Sequence, residues 1–334
     1  MKRVTIKELA KVLNLSTSTV SRALSDHPDI SEDTKVKVRE ASMLYNYRPN
    51  LRARYLRTKS SGLIGLILPE YHMFFIPEMM KSISQAVSEQ GFSLLVFQSD
   101  DSYQKELDII DYCNQLSVDG IMISIGSGFH HSKELLELNK DGAPLILLDK
   151  VWENDEISSV GIDGELVTKN AVEYLVKQGH SKVAGVFSIN SEMIAETRLL
   201  GFEKASVANK LDWRTLKIDG LVGFNKIFKD FLKENKGITA IFTMTDELMI
   251  RCHSELLRNG FRIPEDISLI SISDGVMTNL LNPRITHFYH SPAQIGETAV
   301  ELLFRKIKDK NTATSSLNID CELIELESVK RIQK

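Results

Sequence analysis

Two rhythms of hydrophobic and polar positions divide this chain. Up to about residue 60 the apolar residues come in short bursts at helical spacing: Ile6, Leu9, Ala10 and Leu13, then Val20 and Leu24, then Val36, Val38, Ala41 and Leu44. That spacing predicts three helices, Ile6 to Leu13, Thr17 to Leu24 and Glu32 to Leu44, with these residues facing a small core. From Gly62 onward, compact apolar runs alternate with amphipathic stretches. Strands are predicted at Leu63–Leu68, Leu94–Gln98, Gly120–Ser124 and Leu145–Leu148, with helices at Phe75–Gln90 and Tyr103–Gln115. After about Val160 a second series begins with helix Leu166–Gln178, strand Val183–Ser188 and helix Thr197–Asn209. It continues through strand Leu216–Ile218, helix Phe224–Glu234, strand Ala240–Thr243, helix Glu247–Arg258 and strand Ile267–Ile272, with a last helix near Pro292–Ile307. Alternating units build parallel sheets with helices on both faces, so the body is expected to be α/β, with two doubly wound lobes. Ligands in such lobes sit beyond the carboxyl ends of the strands.

Local signals sharpen the first region. Thr5-Ile6-Lys7-Glu8 has the form of a capping box, with Val4 and Leu9 at the flanking apolar positions. Asn14 tolerates the left-handed conformation that ends a helix, and Ser16 can cap the next one. Leu15 is then buried in the turn, and the small Ala10 allows a close crossing. Two short helices joined by such a turn form a helix-turn-helix. The outward residues of the second helix are Thr17, Ser18, Ser21 and Arg22. Short hydroxyls near its start and one long guanidinium suit a helix entering the major groove end-on.

Charge changes the picture further. The chain has 334 residues and a formal net charge of −4, which alone argues against a polyanion partner. Residues 1–60, however, hold 13 Lys or Arg against 6 Asp or Glu, a balance of +7, and the remainder carries −11. A basic module is therefore fused to an acidic body, as a DNA-binding head requires for neutralising phosphates. No apolar run reaches the roughly 20 residues that cross a bilayer, and the polar N-terminus does not read as a signal peptide. Three scattered cysteines, Cys113, Cys252 and Cys321, make neither a disulfide framework nor a metal cluster, so a reducing cytoplasm is expected.

Residues 45–60 form a different element. Pro49 ends the third helix, and Leu51-Arg52-Ala53-Arg54-Tyr55-Leu56-Arg57 could form two helical turns too short to stand alone in water. Two readings stay open: a linker that orders on a partner, with Arg52, Arg54 and Arg57 on phosphate and Ala53 and Leu56 as an apolar edge, or a plain flexible linker.

The string from Val4 to Leu24, with Val4-Thr5-Ile6-Lys7 and Thr19-Val20-Ser21-Arg22, resembles the DNA-binding head of the lactose/galactose/purine repressor family. Asn46-Tyr47-Arg48-Pro49-Asn50, followed by Ala53 and Leu56, is similar to that family's hinge. The resemblance implies a head over 1–48, a hinge over 49–61 and an effector-binding core over 62–334. It further implies that the core chain crosses back, grouping 62–160 with 290–320 and 161–289 with 321–334, as in periplasmic sugar-binding proteins. Thr17, Ser18 and Arg22 would read bases, while Ser16, Ser21, Tyr47 and Asn50 would position the DNA backbone. Leu56 would wedge into a central minor-groove step, and Thr5, Ala53 and Arg54 complete the expected contacts. Asn14 departs from the family's usual Gly. The implied partners are a palindromic operator, a second copy of the chain and a small effector, most simply a carbohydrate; no cofactor, metal or membrane is implied.

Candidate effector residues follow predicted strands: Phe74 and Phe75, Ser124, Asp149, Asp246 and Asp274, with Arg198 opening Arg198-Leu199-Leu200-Gly201-Phe202. Aromatic plates stack on sugar faces, and carboxylates with one arginine bond hydroxyls. Ser273 stands where the family usually has an acidic residue. Catalysis has no motif behind it, neither G-x-S-x-G nor H-E-x-x-H, and the adjacent His130-His131 diverge too far to share a metal. The competing reading is a sugar-binding or sugar-modifying protein whose head has lost DNA function; the arginines and leucine of 51–57 argue against it.

Overall fold

The structure is a computed structural model that describes residues 4–47, 60–70, 75–126, 135–137, 140, 142–149, 157–189, 192–220, 222–309 and 311–333. The chain forms two compact units, Met1–Ser61 and Gly62–Lys334.

The first unit has α1 (Ile6–Leu13), α2 (Thr17–Leu24) and α3 (Glu32–Leu44). Thr5 closes the capping box: its hydroxyl accepts the Glu8 N–H at 3.3 Å and its own N–H donates to the Glu8 carboxylate at 2.7 Å. Asn14 ends α1 in the left-handed region, at φ 52°, and the Ser16 hydroxyl caps α2 by accepting the Thr19 N–H at 3.0 Å. Leu9, Ala10, Val20, Ala23, Val38 and Ala41 make the core, with Leu15, Ile30 and Tyr47 packed on it. Two expected core residues lie outside it. Val36 is 47% exposed and Leu44 is 78% exposed. At 100° per residue they stand roughly 160° and 120° around α3 from buried Val38, so the helix cannot turn all of them inward. Lys35 takes an inward place instead, its ammonium 2.7 Å from Glu32 and 3.1 Å from Asp26.

The second unit contains two six-stranded sheets with the same winding. The first runs β11-β5-β4-β3-β1-β2, from β1 (Leu63–Leu68), β2 (Ser93–Gln98), β3 (Gly120–Ile123), β4 (Leu145–Asp149), β5 (Ser158–Gly161) and β11 (Ser316–Asn318). The second runs β12-β10-β9-β8-β6-β7, from β6 (Lys182–Ser188), β7 (Asp212–Ile218), β8 (Ala240–Thr243), β9 (Ser268–Ser273), β10 (Thr286–Tyr289) and β12 (Glu322–Ile324). Pairing is parallel except where β12 meets β10. Helices α4 (Phe75–Glu89), α5 (Tyr103–Gln115) and α10 (Pro292–Lys308) pack with the first sheet. Helices α6 (Gly164–Lys177), α7 (Glu192–Ala208), α8 (Phe224–Glu234) and α9 (Asp246–Arg258) pack with the second. The chain therefore passes between lobes after β5, after β10 and between β11 and β12.

Two glycines allow the closest helix contacts. A β-carbon at Gly296 of α10 would stand 2.2 Å from Ser82 Oγ of α4, and one at Gly201 of α7 would stand 2.3 Å from the Glu165 carbonyl oxygen of α6. Backbone cannot swing aside as a side-chain tip can. Gly201→Ala is therefore expected to cost about 1–3 kcal/mol through forced separation of α6 and α7. Urea unfolding beside the parent protein measures it.

Candidate DNA interface and ligand cleft

In the head, the caps and the core fix which side of α2 is free. Val20 and Ala23 are fully buried, while Thr17, Ser18 and Arg22 are exposed. Ser16 serves the helix first: besides capping it, its hydroxyl lies 2.7 Å from the Ser18 hydroxyl and 2.8 Å from that of Thr19. Ser21 is half-buried, as is Tyr47, whose backbone N–H donates to the Ser42 carbonyl at 2.8 Å. Thr5 is spent on the capping box. Asn50, Ala53, Arg54 and Leu56 lie outside the described residues, as do Phe74 and the His130-His131 pair.

In the core, Arg198 of α7 is the centre of the candidate cleft. It is 5% exposed and donates from Nη1 to the Met244 carbonyl, just beyond β8. Its stem lies beside Gly164, where the chain has just crossed into the second lobe: a β-carbon there would be 3.3 Å from Arg198 Cγ. Burial lowers the guanidinium pKa, and the charges of the Asp149 and Asp246 carboxylates act in the opposite sense. Asp149 ends β4 in the left-handed region, at φ 65°. Strained backbone of that kind in a non-glycine residue is kept where the surroundings impose it.

Asp246 opens α9, where the helix N-terminus favours a carboxylate. It accepts the Ser273 hydroxyl and, at 3.2 Å, the Asp274 N–H. Ser273, the departure from the family's acidic residue, thus works as a donor that fixes Asp246, while its oxygen accepts the Gly275 N–H at 2.9 Å. Burial nevertheless pushes Asp246 up to about 6, against the bond from Ser273; Asp274 adds to the rise. Asp274 is also raised, chiefly by burial, and its Oδ1 accepts the Val276 N–H at 3.0 Å. The sign of the pH effect follows. An Asp246 pKa of about 6 when folded exceeds the unfolded value of about 3.9, so the folded state binds more protons between them. Relative to Asp246→Asn, the parent protein should gain stability as pH falls from 7 towards 4, measured by urea unfolding at each pH.

His290 follows β10 on the second crossover and bonds its N–H to the Ser273 carbonyl at 3.1 Å. Its ring centroid is 5.1 Å from that of Phe75, at the start of α4 in the first lobe. Burial, followed by the charges of Arg198 and His287, holds its pKa down to about 3. Among the described residues, the buried atoms Arg198 Nε, Asp274 Oδ2 and His290 Nδ1 find no hydrogen-bond partner. Such orphans cost about 1–3 kcal/mol each, and clustered ones mark a place for a ligand's polar groups.

The structure thus gathers Phe75, Asp149, Asp246 and Asp274 around Arg198 through contacts and shared electrostatics. Ser124 is buried just beyond β3, its N–H donating to the Ile67 carbonyl at 2.9 Å. His290 escaped the sequence reading because the strand that places it, β10, is polar and short. Among the described residues no group of His, Cys, Asp and Glu is arranged to hold a metal ion, and no helix is long and apolar enough to cross a membrane.

Comparison with known proteins agrees with both halves. Residues 5–50 match the model described as bacterial regulatory proteins, lacI family, and residues 61–327 match periplasmic binding proteins and sugar binding domain of LacI family. The HTH-type transcriptional repressor PurR of Vibrio cholerae is 27% identical over 338 residues, covering 99% of each chain. A Lac repressor dimer bound to operator and an anti-inducer superposes with a TM-score of 0.85 at 22% identity, covering 98% of this chain and 100% of that one. A LacI family transcriptional regulator from Enterococcus faecium with bound ribose superposes with a TM-score of 0.72 at 21% identity, covering 81% of this chain and 100% of that one. A helix-turn-helix head with a free polar face, followed by two like-wound lobes about a buried arginine, places the chain in the LacI family, as a DNA-binding transcriptional regulator whose operator affinity is controlled by a small-molecule effector.

Proposed function

We propose that this chain acts as a homodimeric repressor that binds a palindromic operator and whose effector is an uncharged carbohydrate held between the lobes. The observation that carries the effector reading is the group of buried, unspent polar atoms on Arg198 and Asp274. In this reading Thr17, Ser18 and Arg22 meet base edges, and Ser16, Ser21, Tyr47 and Asn50 meet the DNA backbone. Thr5 supports α1 through its cap, Ala53 and Arg54 lie along the minor groove, and Leu56 wedges between its base pairs. Arg198, Asp149, Asp246 and Asp274 bond ligand hydroxyls, with Phe74 and Phe75 as apolar plates and Ser124 at the edge of the first lobe.

The charge balance selects the ligand class. Asp149 and Asp246 both act on Arg198, and Asp246 and Asp274 act on each other. Three carboxylates against one guanidinium disfavour a phosphate or a carboxylate on the ligand. The carbohydrate reading draws support from the sugar-binding domain match and from the ribose in the Enterococcus faecium structure. The test is fluorescence anisotropy on a labelled operator, titrated with neutral mono- and disaccharides and then with the phosphorylated form of whichever acts. A neutral sugar should shift operator affinity and its phosphorylated form should not. Equal action by both would overturn the charge argument, and no response to any sugar would overturn the carbohydrate assignment.

A further inference from the structure

We infer that Glu106 is a positioning residue for effector binding, its buried carboxylate holding the Ser124–Gly126 backbone on the first-lobe side of the cleft; the inference rests on the effector reading above. The first argument is a comparison among buried carboxylates. Among the described residues three are buried: Asp274 of the candidate cleft, Glu255 and Glu106. Glu255 turns to its own helix, where Arg258 donates to it at 3.0 Å. Glu106, 2% exposed in the first turn of α5, reaches out of its helix instead. Its Oε1 accepts the Gly126 N–H at 2.7 Å and the Ser99 hydroxyl at 3.3 Å. A carboxylate is costly to bury unless hydrogen bonds and dipoles hold it, and these bonds and the start of α5 supply them.

What this oxygen ties together is the carboxyl end of the first sheet. Ser99 follows β2, and its N–H donates to the Leu68 carbonyl at the end of β1, at 2.9 Å. Gly126 lies just beyond β3, two residues past Ser124, whose own N–H is on the Ile67 carbonyl of β1. Glu106 therefore joins the ends of β1, β2 and β3, beyond which ligands of wound sheets sit. Gly126 comes this close because it is bare. A β-carbon there would stand 2.3 Å from Asp101 Oδ1, 3.1 Å from Asp101 Cα and 3.1 Å from Glu106 Oε1. Asp100 and Asp101 in turn stand in the left-handed region, at φ 54° and 56°. Consecutive non-glycine residues of that kind persist where their surroundings impose them.

The hold has a consequence for binding. A ligand that meets Ser124 finds a backbone already in place, and preorganisation of that kind raises affinity by removing the cost of ordering. Without the Glu106 carboxylate the Gly126 N–H loses its acceptor, and the segment rearranges to satisfy it. By linkage the effect runs both ways: if the held backbone favours the ligand, the ligand must favour the held backbone by the same factor. Glu106 touches no ligand itself, and the DNA-reading face belongs to the other compact unit, so ligand affinity is the quantity that moves.

The experiment uses the full chain and titration calorimetry with D-ribose, D-glucose, D-galactose and cellobiose. For whichever of these the parent binds, Glu106→Ala should weaken binding by about tenfold, the scale of one buried hydrogen bond. Glu106→Gln, which keeps an acceptor for the Gly126 N–H, should recover most of that loss. Gly126→Ala pushes the same backbone away, so it should add little to Glu106→Ala in the double variant. Operator affinity without sugar should be the same for all of these proteins. Parent-like sugar binding by Glu106→Ala, whatever its melting temperature, would overturn the inference while leaving the carbohydrate reading intact. A parent that takes none of the four would instead overturn the carbohydrate reading, and with it the inference. Hydrogen exchange at the Gly126 amide of the parent gives a readout that no variant's folding can confuse. Saturating sugar should slow that exchange about tenfold, by the linkage above, and an unslowed amide would overturn the positioning role.

Discussion

Arg22→Ala is expected to bind its operator about 1–3 kcal/mol more weakly, the loss of one bidentate base contact, while its weak affinity for random DNA persists. The expectation starts from the core of the head. Val20 and Ala23 are buried in full, which turns Arg22 and the N-terminal hydroxyls of α2 outward. Arg22 is exposed and lies in the last turn of α2, so its removal leaves no cavity. Stability should hardly change, and the effect should appear as lost discrimination. Anisotropy titrations on operator and scrambled duplexes, at two salt concentrations, separate the terms. An unchanged preference for operator would take Arg22 out of the readout.

Arg198→Ala is expected to abolish the effector response with ligand-free operator affinity largely kept. Coupling free energies of about 1–3 kcal/mol are typical of such two-site systems, and that is the quantity at stake. Arg198 connects the Met244 carbonyl, the Gly164 crossover and the charges of Asp149 and Asp246. Without it those carboxylates lose their compensating charge, and a ligand loses its strongest donor. Because removing one member of a buried charge group also destabilises, thermal unfolding should accompany the operator assay. An Arg198→Ala protein that still answers to sugar normally would move the cleft elsewhere.

Much of the architecture was open to sequence reading, for reasons visible in particular elements. Strands such as Leu63–Leu68 are buried on both faces and therefore read as unbroken apolar runs. The head was legible because its caps are local: Thr5, Asn14 and Ser16 each act within a few residues of themselves. Strand β5 was missed although all of Ser158-Ser159-Val160-Gly161 is buried. Its hydroxyls are satisfied only by a strand more than a hundred residues away: Ser158 Oγ accepts the Ser315 N–H at 3.1 Å, and Ser159 Oγ lies 3.0 Å from Ser316 Oγ. Edge strand β7 begins at Asp212, four residues before its apolar end, and α7 begins at Glu192, five residues before the predicted start. Neither boundary carries a local start signal: the missed turn of α7 mixes Met193, Ile194 and Ala195 with two glutamates, and the missed half of β7 sets Trp213 among Asp212, Arg214 and Thr215.

By itself, the sequence determined the helix-turn-helix head, the outward residues of α2 and the alternation that makes two wound lobes. All of these depend on spacing within one element or on one contiguous motif, where local geometry leaves little choice. Only the tertiary structure decided that Ser273 would anchor Asp246. It also decided that His290, an unremarkable residue after a polar strand, would be buried against Phe75 with a ring nitrogen unspent. These outcomes turn on burial and on partners brought from distant strands, and hydrogen-bond satisfaction in a buried cluster is a property of the assembled neighbourhood that no local pattern encodes.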